Sequence, residues 1–362
     1  MSAKLLATWT RRRFLANAGL ASAAMVSPLS RDAAAAEGQT YPAQSFLACV
    51  ASRSAIDAPT QHLEAFVIRG RDKYLVAQLQ SLEPIGAIVL HPTRNVLYAA
   101  YDTSEYLGLP GASVAVFSIE RSTGTFVLLD RRALTLSATN PRNISISPDG
   151  ATLLVSASGG GAYNSFGVAA DGVLDGPPRA LKLTGCGPHP LQSSARPGFS
   201  AFHRSGRYAY ACDFGSDRID QLAFVDGVPG IVSRAHLLPG SGPCHLAIHP
   251  SERAIAVVSQ LRPEVTIIRI DPDSVRLGLT SHRALLESAR LSRGYFDASG
   301  HALSVVGTTN SGAPAVSTYR VAQPDFTLRQ VLSANVDLEP RLLIDNLALS
   351  GRTPLATTMR SI

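Results

Sequence analysis

The sequence predicts an all-β fold, a seven-bladed β-propeller whose blades are four-stranded antiparallel sheets. Two observations carry this prediction. Short apolar runs alternate with clusters of turn residues, and helical periodicity is scarce. A unit of about 50 residues also recurs, which is typical of propellers, where each small sheet buries its two apolar faces against its neighbours.

The repeated unit is an apolar strand, a turn and a second apolar strand. Equivalent turn positions lie at intervals of 56, 56, 46 and 48 residues, at Arg94, Gly150, Gly206, Glu252 and Gly300. Third strands follow in several copies, beginning at Ser113, Arg218, Val265 and Ala315. Each copy therefore supplies most of one blade.

The two ends of the chain complete the ring. Phe46–Ala51 and Leu63–Ile68 are strand-like runs before the first full copy, and a weak copy follows Pro340. The last copy is short, so we expect the N-terminus to supply its missing strands and to close the ring within one mixed blade. The length favours seven blades, with six or eight as alternatives.

The composition indicates a folded chain with a large core. Charged residues make up 17% and apolar residues 45% of the 362 residues, which excludes a disordered polyelectrolyte. Five of the 33 bases and one of the 27 acids lie in residues 1–36, leaving 28 against 26 elsewhere. This balance argues against nucleic-acid binding.

The first 36 residues resemble a twin-arginine export signal. Consecutive arginines in Thr10–Leu15 precede a mildly apolar stretch, Phe14–Leu29, and a small-residue cleavage context, Ala33–Ala36. We therefore predict an export signal over 1–36, a propeller domain over 37–362 and a periplasmic or secreted protein without stable membrane insertion. An uncleaved amphipathic N-terminus or a mispredicted start is the alternative.

The cysteines do not predict a metal or redox motif. None of them has a CxxC spacing, and four cysteines allow three disulfide pairings in an oxidising compartment: Cys49, Cys186, Cys212 and Cys244. Cys49 and Cys212 lie in apolar, strand-like runs, which favours buried, unpaired thiols there.

Four segments resemble the β-propeller lactonase family, which includes the propeller-type 6-phosphogluconolactonases. They read PRNISISPDG at Pro141–Gly150, GPHPLQ at Gly187–Gln192, YAYACDFGSDRI at Tyr208–Ile219 and GSGPCHLAIHP at Gly240–Pro250. The resemblance runs from about residue 45 to 350. It implies a seven-bladed propeller with a site at one mouth of the central channel, where His, Glu and Arg residues bind a lactone and activate water.

The sequence departs from the family pattern at several expected site positions. The resemblance places a His-x-His pair at Arg196 and Gly198, an Arg at Cys244, and an acid and an Arg at Arg293 and Tyr295. Three family-like positions are retained, at Arg142, His245 and Arg341. Several of the acid and base residues that the resemblance implies for a lactonase are therefore missing.

The candidate site residues each have a structural alternative. His245 is a base or ligand donor, or else it bonds to the backbone of a neighbouring blade. Arg142 and Arg341 hold an anion or pin adjacent blades together. Arg196 is expected to bind an acidic ligand. His189 and Gln192, in the loop that leads to it, are candidates for contact with the same ligand.

Other motifs favour structural roles. The spacing His245-x-x-x-His249 would suit a metal only on a helix, and no other spacing implies a metal or a cofactor. His91 and His249 each lie in a His-Pro turn and are expected to be structural. Gly159–Gly161 resembles a flexible blade connection more than a phosphate cradle, and Asp102–Gly111 is expected to shape the channel rim.

Two functional hypotheses follow. The first is an exported enzyme that hydrolyses a sugar or related lactone, with His245 and nearby arginines at the channel mouth. The second is a catalytically silent periplasmic propeller that binds a small organic acid or a protein partner. A fold of this kind does not choose between them.

Overall fold

The strands expected from the repeat are present. The computed structural model describes residues 45–53, 61–69, 72–81, 83–120, 122–285, 290–308, 310, 314–330 and 353–361. These residues form 26 β-strands and, as the one helical element described, a 3₁₀ turn at Pro190–Gln192. None of the described helical structure is long and apolar enough to cross a membrane.

The described strands form six antiparallel blades of four strands. Four of the blades are separate sheets, and the other two make up one eight-stranded sheet, joined by a single parallel pairing of Gln78 with Thr125. Blade 1 contains β1 (Ser45–Arg53), β2 (Gln61–Arg69), β3 (Asp72–Ser81) and β26 (Thr353–Ser361). Blade 2 contains β4 (Ile85–Leu90), β5 (Val96–Tyr101), β8 (Ser113–Glu120) and β9 (Thr125–Ala133), with a small hairpin of β6 (Glu105–Tyr106) and β7 (Leu109–Pro110).

The remaining four blades each use four consecutive strands. Blade 3 contains β10 (Thr139–Ile146), β11 (Thr152–Gly159), β12 (Ala162–Val168) and β13 (Leu174–Lys182). Blade 4 contains β14 (Pro197–Phe202), β15 (Tyr208–Asp213), β16 (Arg218–Val225) and β17 (Val228–His236). Blade 5 contains β18 (Pro243–Ile248), β19 (Ala254–Ser259), β20 (Glu264–Ile270) and β21 (Leu277–Leu285). Blade 6 contains β22 (Arg290–Phe296), β23 (Ala302–Thr308), β24 (Pro314–Val321) and β25 (Leu328–Gln330).

The two chain ends meet in blade 1. Strand β26 pairs antiparallel with β1, in a register that sets Phe46 opposite Ser361 and Ala51 opposite Ala356. The expected mixing of terminal strands is therefore confirmed. This arrangement ties the last described strand to the first and leaves β26 as the innermost strand of its blade.

The hydrophobic core lies between the blades. Each of the five largest buried clusters combines residues of two consecutive blades. Fully buried tyrosines add polar links across these interfaces: the Tyr98 hydroxyl donates to the Gly172 carbonyl at 2.7 Å, and the Tyr210 hydroxyl donates to the Val275 carbonyl at 3.1 Å. Because neither blade face is satisfied alone, stacking around an axis is what makes the sheets stable.

The turns that follow the inner strands touch each other in sequence around one end of the ring. The His249 Nε2 atom donates to the Gly300 carbonyl of the next blade at 2.9 Å. His203 Nε2 lies 3.3 Å from Glu252 Oε2 in the same relation. A Cβ atom at Gly150 would collide with the His91 ring. His91 and His249 therefore have the structural role expected from their His-Pro turns.

These turns predict a loss of stability in mild acid. Burial lowers the pKa of both His203 and His249, so the unfolded chain takes up more protons than the folded chain as the pH falls below about 6.5. The stability that these two histidines contribute in their neutral form is present above that pH and is lost below it. We expect the melting temperature to fall between pH 7 and pH 5, and to fall less in H203Q/H249Q. The control H236Q, at an exposed histidine, is expected to retain the wild-type slope; equal slopes in all three proteins would contradict this assignment.

Candidate functional site

The five inner strands β4, β10, β14, β18 and β22 share one irregularity. Each has a β-bulge just after its start, and the extra residues are Gly86, Arg142, Gly198, Cys244 and Ser292. Bulges of this kind redirect side chains at functional rims. Arg142 thus lies within its inner strand, at the bulge and partly exposed, rather than before the strand.

The residue after the bulge links neighbouring blades. Asn143 Oδ1 accepts the backbone N–H of Ser200 at 2.9 Å, and His245 Nδ1 accepts the backbone N–H of Gly294 at 3.3 Å. Both acceptors occupy the same repeat position, and so do both donors. His245 therefore makes the bond to a neighbouring blade that its structural alternative anticipated.

That hydrogen bond also fixes the chemistry of His245. A nitrogen that accepts an N–H carries no proton of its own, so the proton of the neutral imidazole is on Nε2. In the neutral imidazole Nε2 is therefore a hydrogen-bond donor and not a basic lone pair. His245 is 6% exposed, so its imidazole is largely desolvated and its interactions with charged or polar groups are less screened than in water.

Aromatic rings hold the imidazole from two sides. The Phe199 ring of blade 4 packs on His245 with centroids 4.0 Å apart, and the Tyr295 ring of blade 6 meets it edge-on at 5.6 Å. Arg293 Nη1 lies 3.5 Å from the Tyr295 hydroxyl. The positions at which the family resemblance implies an acid and an arginine are thus occupied by an arginine and a tyrosine next to His245.

The inner strands carry positive charge. Strands β4, β10, β14, β18 and β22 contain Arg142, Arg290, Arg293 and His245 but no Asp or Glu. Guanidinium groups along a confined wall attract carboxylate and phosphate groups and stabilise developing negative charge. The wall formed by these five strands is therefore suited to an anionic ligand or an oxyanion.

Arg196 immediately precedes β14 and is largely engaged with its own loop. Its Nη1 donates to the Leu191 carbonyl at 2.8 Å, and its backbone N–H donates to Asp213 Oδ1 at 2.7 Å. Its guanidinium carbon lies 5.7 Å from the centre of the Phe214 ring. Partial burial lowers the pKa of Arg196, yet a group with so high an ordinary pKa stays charged.

The loop before Arg196 contains the other two candidates. His189 caps the 3₁₀ turn, where its Nδ1 accepts the Leu191 N–H at 3.1 Å, and it is exposed. Gln192 is fully buried and its Nε2 donates to the Phe214 carbonyl at 2.8 Å and to Asp217 Oδ1 at 2.7 Å. Exposed His189 can reach a ligand, whereas both amide protons of Gln192 are used inside the protein.

The glycine triplet lies beneath the loops of the mouth. A Cβ atom at Gly160 would collide with the Ser137 carbonyl, and one at Gly161 would come within 2.9 Å of the Ala195 carbonyl. Gly160 and Gly161 also have φ values of 78° and 61°, which favour glycine. The triplet thus forms the tight turn between β11 and β12 and lets two blade-connecting loops pass close above it.

The connection over Asp102–Gly111 forms the β6–β7 hairpin. Its Tyr106 ring stacks on Arg131, whose guanidinium carbon also lies 4.4 Å from the centre of the Tyr101 ring. The Ser137 N–H donates to the Pro110 carbonyl at 2.9 Å, which joins the hairpin to the loop leading into β10. The hairpin therefore contributes to the rim.

The described residues contain no cluster of His, Cys, Asp and Glu that would hold a metal ion. All four cysteines have free thiols; Cys49 and Cys212 are buried, Cys244 is half-buried and Cys186 is exposed. Burial raises the pKa of the Cys244 thiol to about 12, so it is protonated at neutral pH.

The predicted site residues that are described lie at one end of the ring. Arg142, Arg196 and His245 belong to the starting ends of β10, β14 and β18, and the loop with His189 and Gln192 leads into β14. Arg341 and the predicted export signal lie outside the described residues. Sequence reasoning missed Asn143 and Phe199, which a strict alignment of the repeats beside His245 would have found.

Comparisons with known proteins agree on the family. Residues 75–344 match the family model described as lactonase, seven-bladed β-propeller. A 6-phosphogluconolactonase of Bacillus subtilis is 28% identical over 159 residues, which are 44% of this chain and 45% of that relative, less than half of its length.

Solved structures share the fold at low identity. The periplasmic gluconolactonase of Pseudomonas aeruginosa superposes with a TM-score of 0.68 at 19% identity, over 81% of this chain and 84% of that one. A Lactobacillus plantarum protein gives a TM-score of 0.69 at 14% identity, over 88% of this chain and 99% of that one.

The family match covers most of the chain and confirms the predicted fold class. The six blades built from described strands belong to that seven-bladed architecture, and residues 331–352 lie outside the described part. Lactone hydrolysis is the activity for which the family is named. The chain is a member of the seven-bladed β-propeller lactonase family.

Proposed function

We propose that the protein hydrolyses a sugar or related lactone at the channel mouth where the inner strands begin. The observation that carries the proposal is the imidazole of His245, held by three contacts among inner strands that contain Arg142, Arg290 and Arg293 and no carboxylate. Such a set offers preorganised donors to the oxygen of a carbonyl that is under attack. Family membership supports the reaction class.

The chemistry follows from what these groups can donate. Hydroxide adds to the lactone carbonyl carbon and gives a tetrahedral oxyanion. The oxyanion collapses and expels the ring oxygen as an alkoxide, which takes the proton of the new carboxyl group and leaves a hydroxycarboxylate; forming the hydroxide from water releases one proton per turnover. The His245 Nε2–H and the Arg142 guanidinium would stabilise the oxyanion. Because β4, β10, β14, β18 and β22 contain no carboxylate, solvent hydroxide is the proposed nucleophile.

The experiment is a pH-stat assay of the purified protein on simple aldonolactones. We expect proton release above the blank, with a rate that climbs with hydroxide concentration after correction for spontaneous hydrolysis. A plateau with an apparent pKa of about 6 to 7 would instead assign a base, in the range of an ordinary histidine, to the site. No turnover by the folded protein would refute the proposal.

A second function is binding of a small organic acid without turnover. The positive charge at this end of the ring favours it, since Arg196 and Arg293 occupy positions where the family resemblance implies a His and an acid. Calorimetric titration with an aldonate separates the two. Binding of the acid together with absence of lactone turnover identifies a binding protein, and turnover excludes it.

Arg196 provides a further prediction for either function. We expect R196A to weaken binding of an acidic ligand by about 10- to 150-fold, since one charge-assisted hydrogen bond contributes about 1.5–3 kcal/mol. Calorimetry with the aldonate measures the change. R207A, which removes an exposed arginine at the opposite end of blade 4, is the control, and equal affinities of R196A and wild type would contradict a ligand role.

We further propose that residues 1–36 direct export. The twin-arginine-like motif at Thr10–Leu15 supports this, and one structural neighbour is named as a periplasmic protein. Fractionation of cells that express the full chain and an R11K/R12K variant tests it. We expect wild-type protein in the periplasm and the variant in the cytoplasm.

A further inference from the structure

Two consecutive loops of the mouth share a single buried carboxylate. Loop 183–196 connects blade 3 to blade 4 and ends at Arg196, and loop 237–242 connects blade 4 to blade 5 and leads to His245. Asp217 lies between them, in the turn from β15 to β16, and is 6% exposed. Its position makes it a common anchor for both loops.

Asp217 accepts hydrogen bonds from each loop. Gln192 Nε2 of the first loop donates to Asp217 Oδ1 at 2.7 Å. The backbone N–H groups of Gly242 and Gly240, in the second loop, donate to Oδ1 and Oδ2 respectively, each at 2.7 Å. Both oxygens of one carboxylate are thereby used, and hydrogen bonds to a charged group are about twice as strong as neutral ones.

The backbone of Asp217 is adapted to this position. Its φ of 51° is a left-handed conformation that non-glycine residues adopt mainly when they are Asn or Asp. The Leu237 N–H donates to the Asp217 carbonyl at 2.8 Å, which adds a main-chain bond to the second loop. The side chain and the main chain of Asp217 therefore both accept hydrogen bonds from the segment that leads to His245.

We propose that Asp217 is a positioning residue, which couples loop 183–196 to loop 237–242 and so sets Arg196 and His245 in fixed relation. It contacts neither ligand nor reacting atoms, and its carboxylate acts through Gln192 and through Gly242, three residues before His245. The link to catalysis rests on the proposed function, whereas the link between the two loops does not.

Hydrogen exchange tests the coupling without a substrate. In D217N one oxygen becomes an amide nitrogen that cannot accept and the other loses its charge, so every bond from either loop is lost or weakened. We therefore expect exchange to become at least about tenfold faster in peptides from both 183–196 and 237–248. D271N is the matched control, because Asp271 accepts three bonds in its own exposed turn between β20 and β21, away from the mouth. It should leave both segments unchanged.

Q192L separates local loosening from coupling through Asp217, and it decides the matter if D217N does not fold. It removes the bond of the first loop to Asp217, together with the bonds of the same side chain to Phe214 and His189. Exchange should therefore accelerate in 183–196 and, through the shared carboxylate, to a smaller extent in 237–248. Unchanged exchange of 237–248 in folded D217N overturns the proposal, and so does unchanged exchange of 237–248 in Q192L, which would mean that the two loops are anchored independently.

Steady-state kinetics then test whether Asp217 affects catalysis at the channel mouth. If the wild-type protein hydrolyses lactones, D217N is expected to lower kcat by about tenfold or more, because a small misplacement of a donor weakens transition-state stabilisation. D271N should keep the wild-type kcat. If wild-type protein has no lactonase activity, the proposed function fails, and the exchange results still decide whether Asp217 couples the loops.

Discussion

H245N is expected to lower kcat for lactone hydrolysis by about 10²–10³, the cost of removing one donor from an oxyanion site. The melting temperature should change little. Asparagine at the equivalent position of blade 3 already accepts the N–H of the next blade, since Asn143 Oδ1 accepts from Ser200 at 2.9 Å. An asparagine at position 245 can therefore keep the link to Gly294 and lose only the imidazole.

H249N gives the opposite result and is the control. His249 is 2% exposed and links its turn to Gly300 at the far end of the ring. Its replacement should cost about 1–3 kcal/mol of stability and leave the kcat of the folded protein unchanged. Steady-state kinetics and urea unfolding of both variants measure the contrast. Loss of stability without loss of kcat in H245N would give His245 a purely structural role.

The fold was predictable because the repeat is written in the spacing of turns and apolar runs. The intervals between Arg94, Gly150, Gly206, Glu252 and Gly300 are the intervals between the bulges on successive inner strands. Burial on both faces of each blade produces continuous apolar strands such as Ala254–Ser259, all of whose residues are buried. Repetition made the pattern clear even where single strands were ambiguous.

The candidate site was predictable only in part, because its geometry depends on contacts between distant segments. The tautomer of His245 depends on the N–H of Gly294, and its orientation depends on Phe199. Neither residue type signals chemistry in the sequence. Gln192 was a candidate for ligand contact, yet its amide is committed to Phe214 and Asp217, a partnership that only the folded turn creates.

The distribution of charge was also predictable only in part. Composition gave a nearly neutral domain, but the strands that line the axis contain arginines and no carboxylates among β4, β10, β14, β18 and β22. Two buried acids at this end of the ring are used within the protein: Asp213 and Asp217 hold loops and pair with Arg218 or backbone N–H groups. A net charge cannot reveal this separation, whereas strand order does.

R218A is expected to destabilise the protein by about 3–5 kcal/mol, because removing one partner of a buried ion pair leaves an uncompensated charge. Arg218 Nη2 lies 3.0 Å from Asp213 Oδ2, and its Nε lies 3.5 Å from Asp220 Oδ2. Both carboxylates are fully buried. Asp220 keeps Arg234, whose Nε is 2.7 Å away, so Asp213 suffers the larger loss.

The matched control is R132A, which breaks an exposed ion pair of 2.7 Å between Arg132 and Asp130. Pairs of that kind contribute at most about 1 kcal/mol, so urea unfolding should show a small change for R132A and a large one for R218A. Similar losses of stability in R132A and R218A would contradict the explanation that R218A leaves a buried, uncompensated charge.

The pH dependence of the R218A effect identifies its cause. Burial already raises the pKa of Asp213, and loss of the guanidinium must raise it further. A carboxyl whose folded pKa lies above its unfolded value costs stability as the pH rises through the folded pKa, and this cost disappears once the group is protonated. The difference in unfolding free energy between R218A and wild type should therefore shrink as the pH falls from 7 to 5. A constant difference would mean that R218A acts through lost packing, and Asp213, which holds the backbone N–H of Arg196, would then not be a buried charge that needs Arg218.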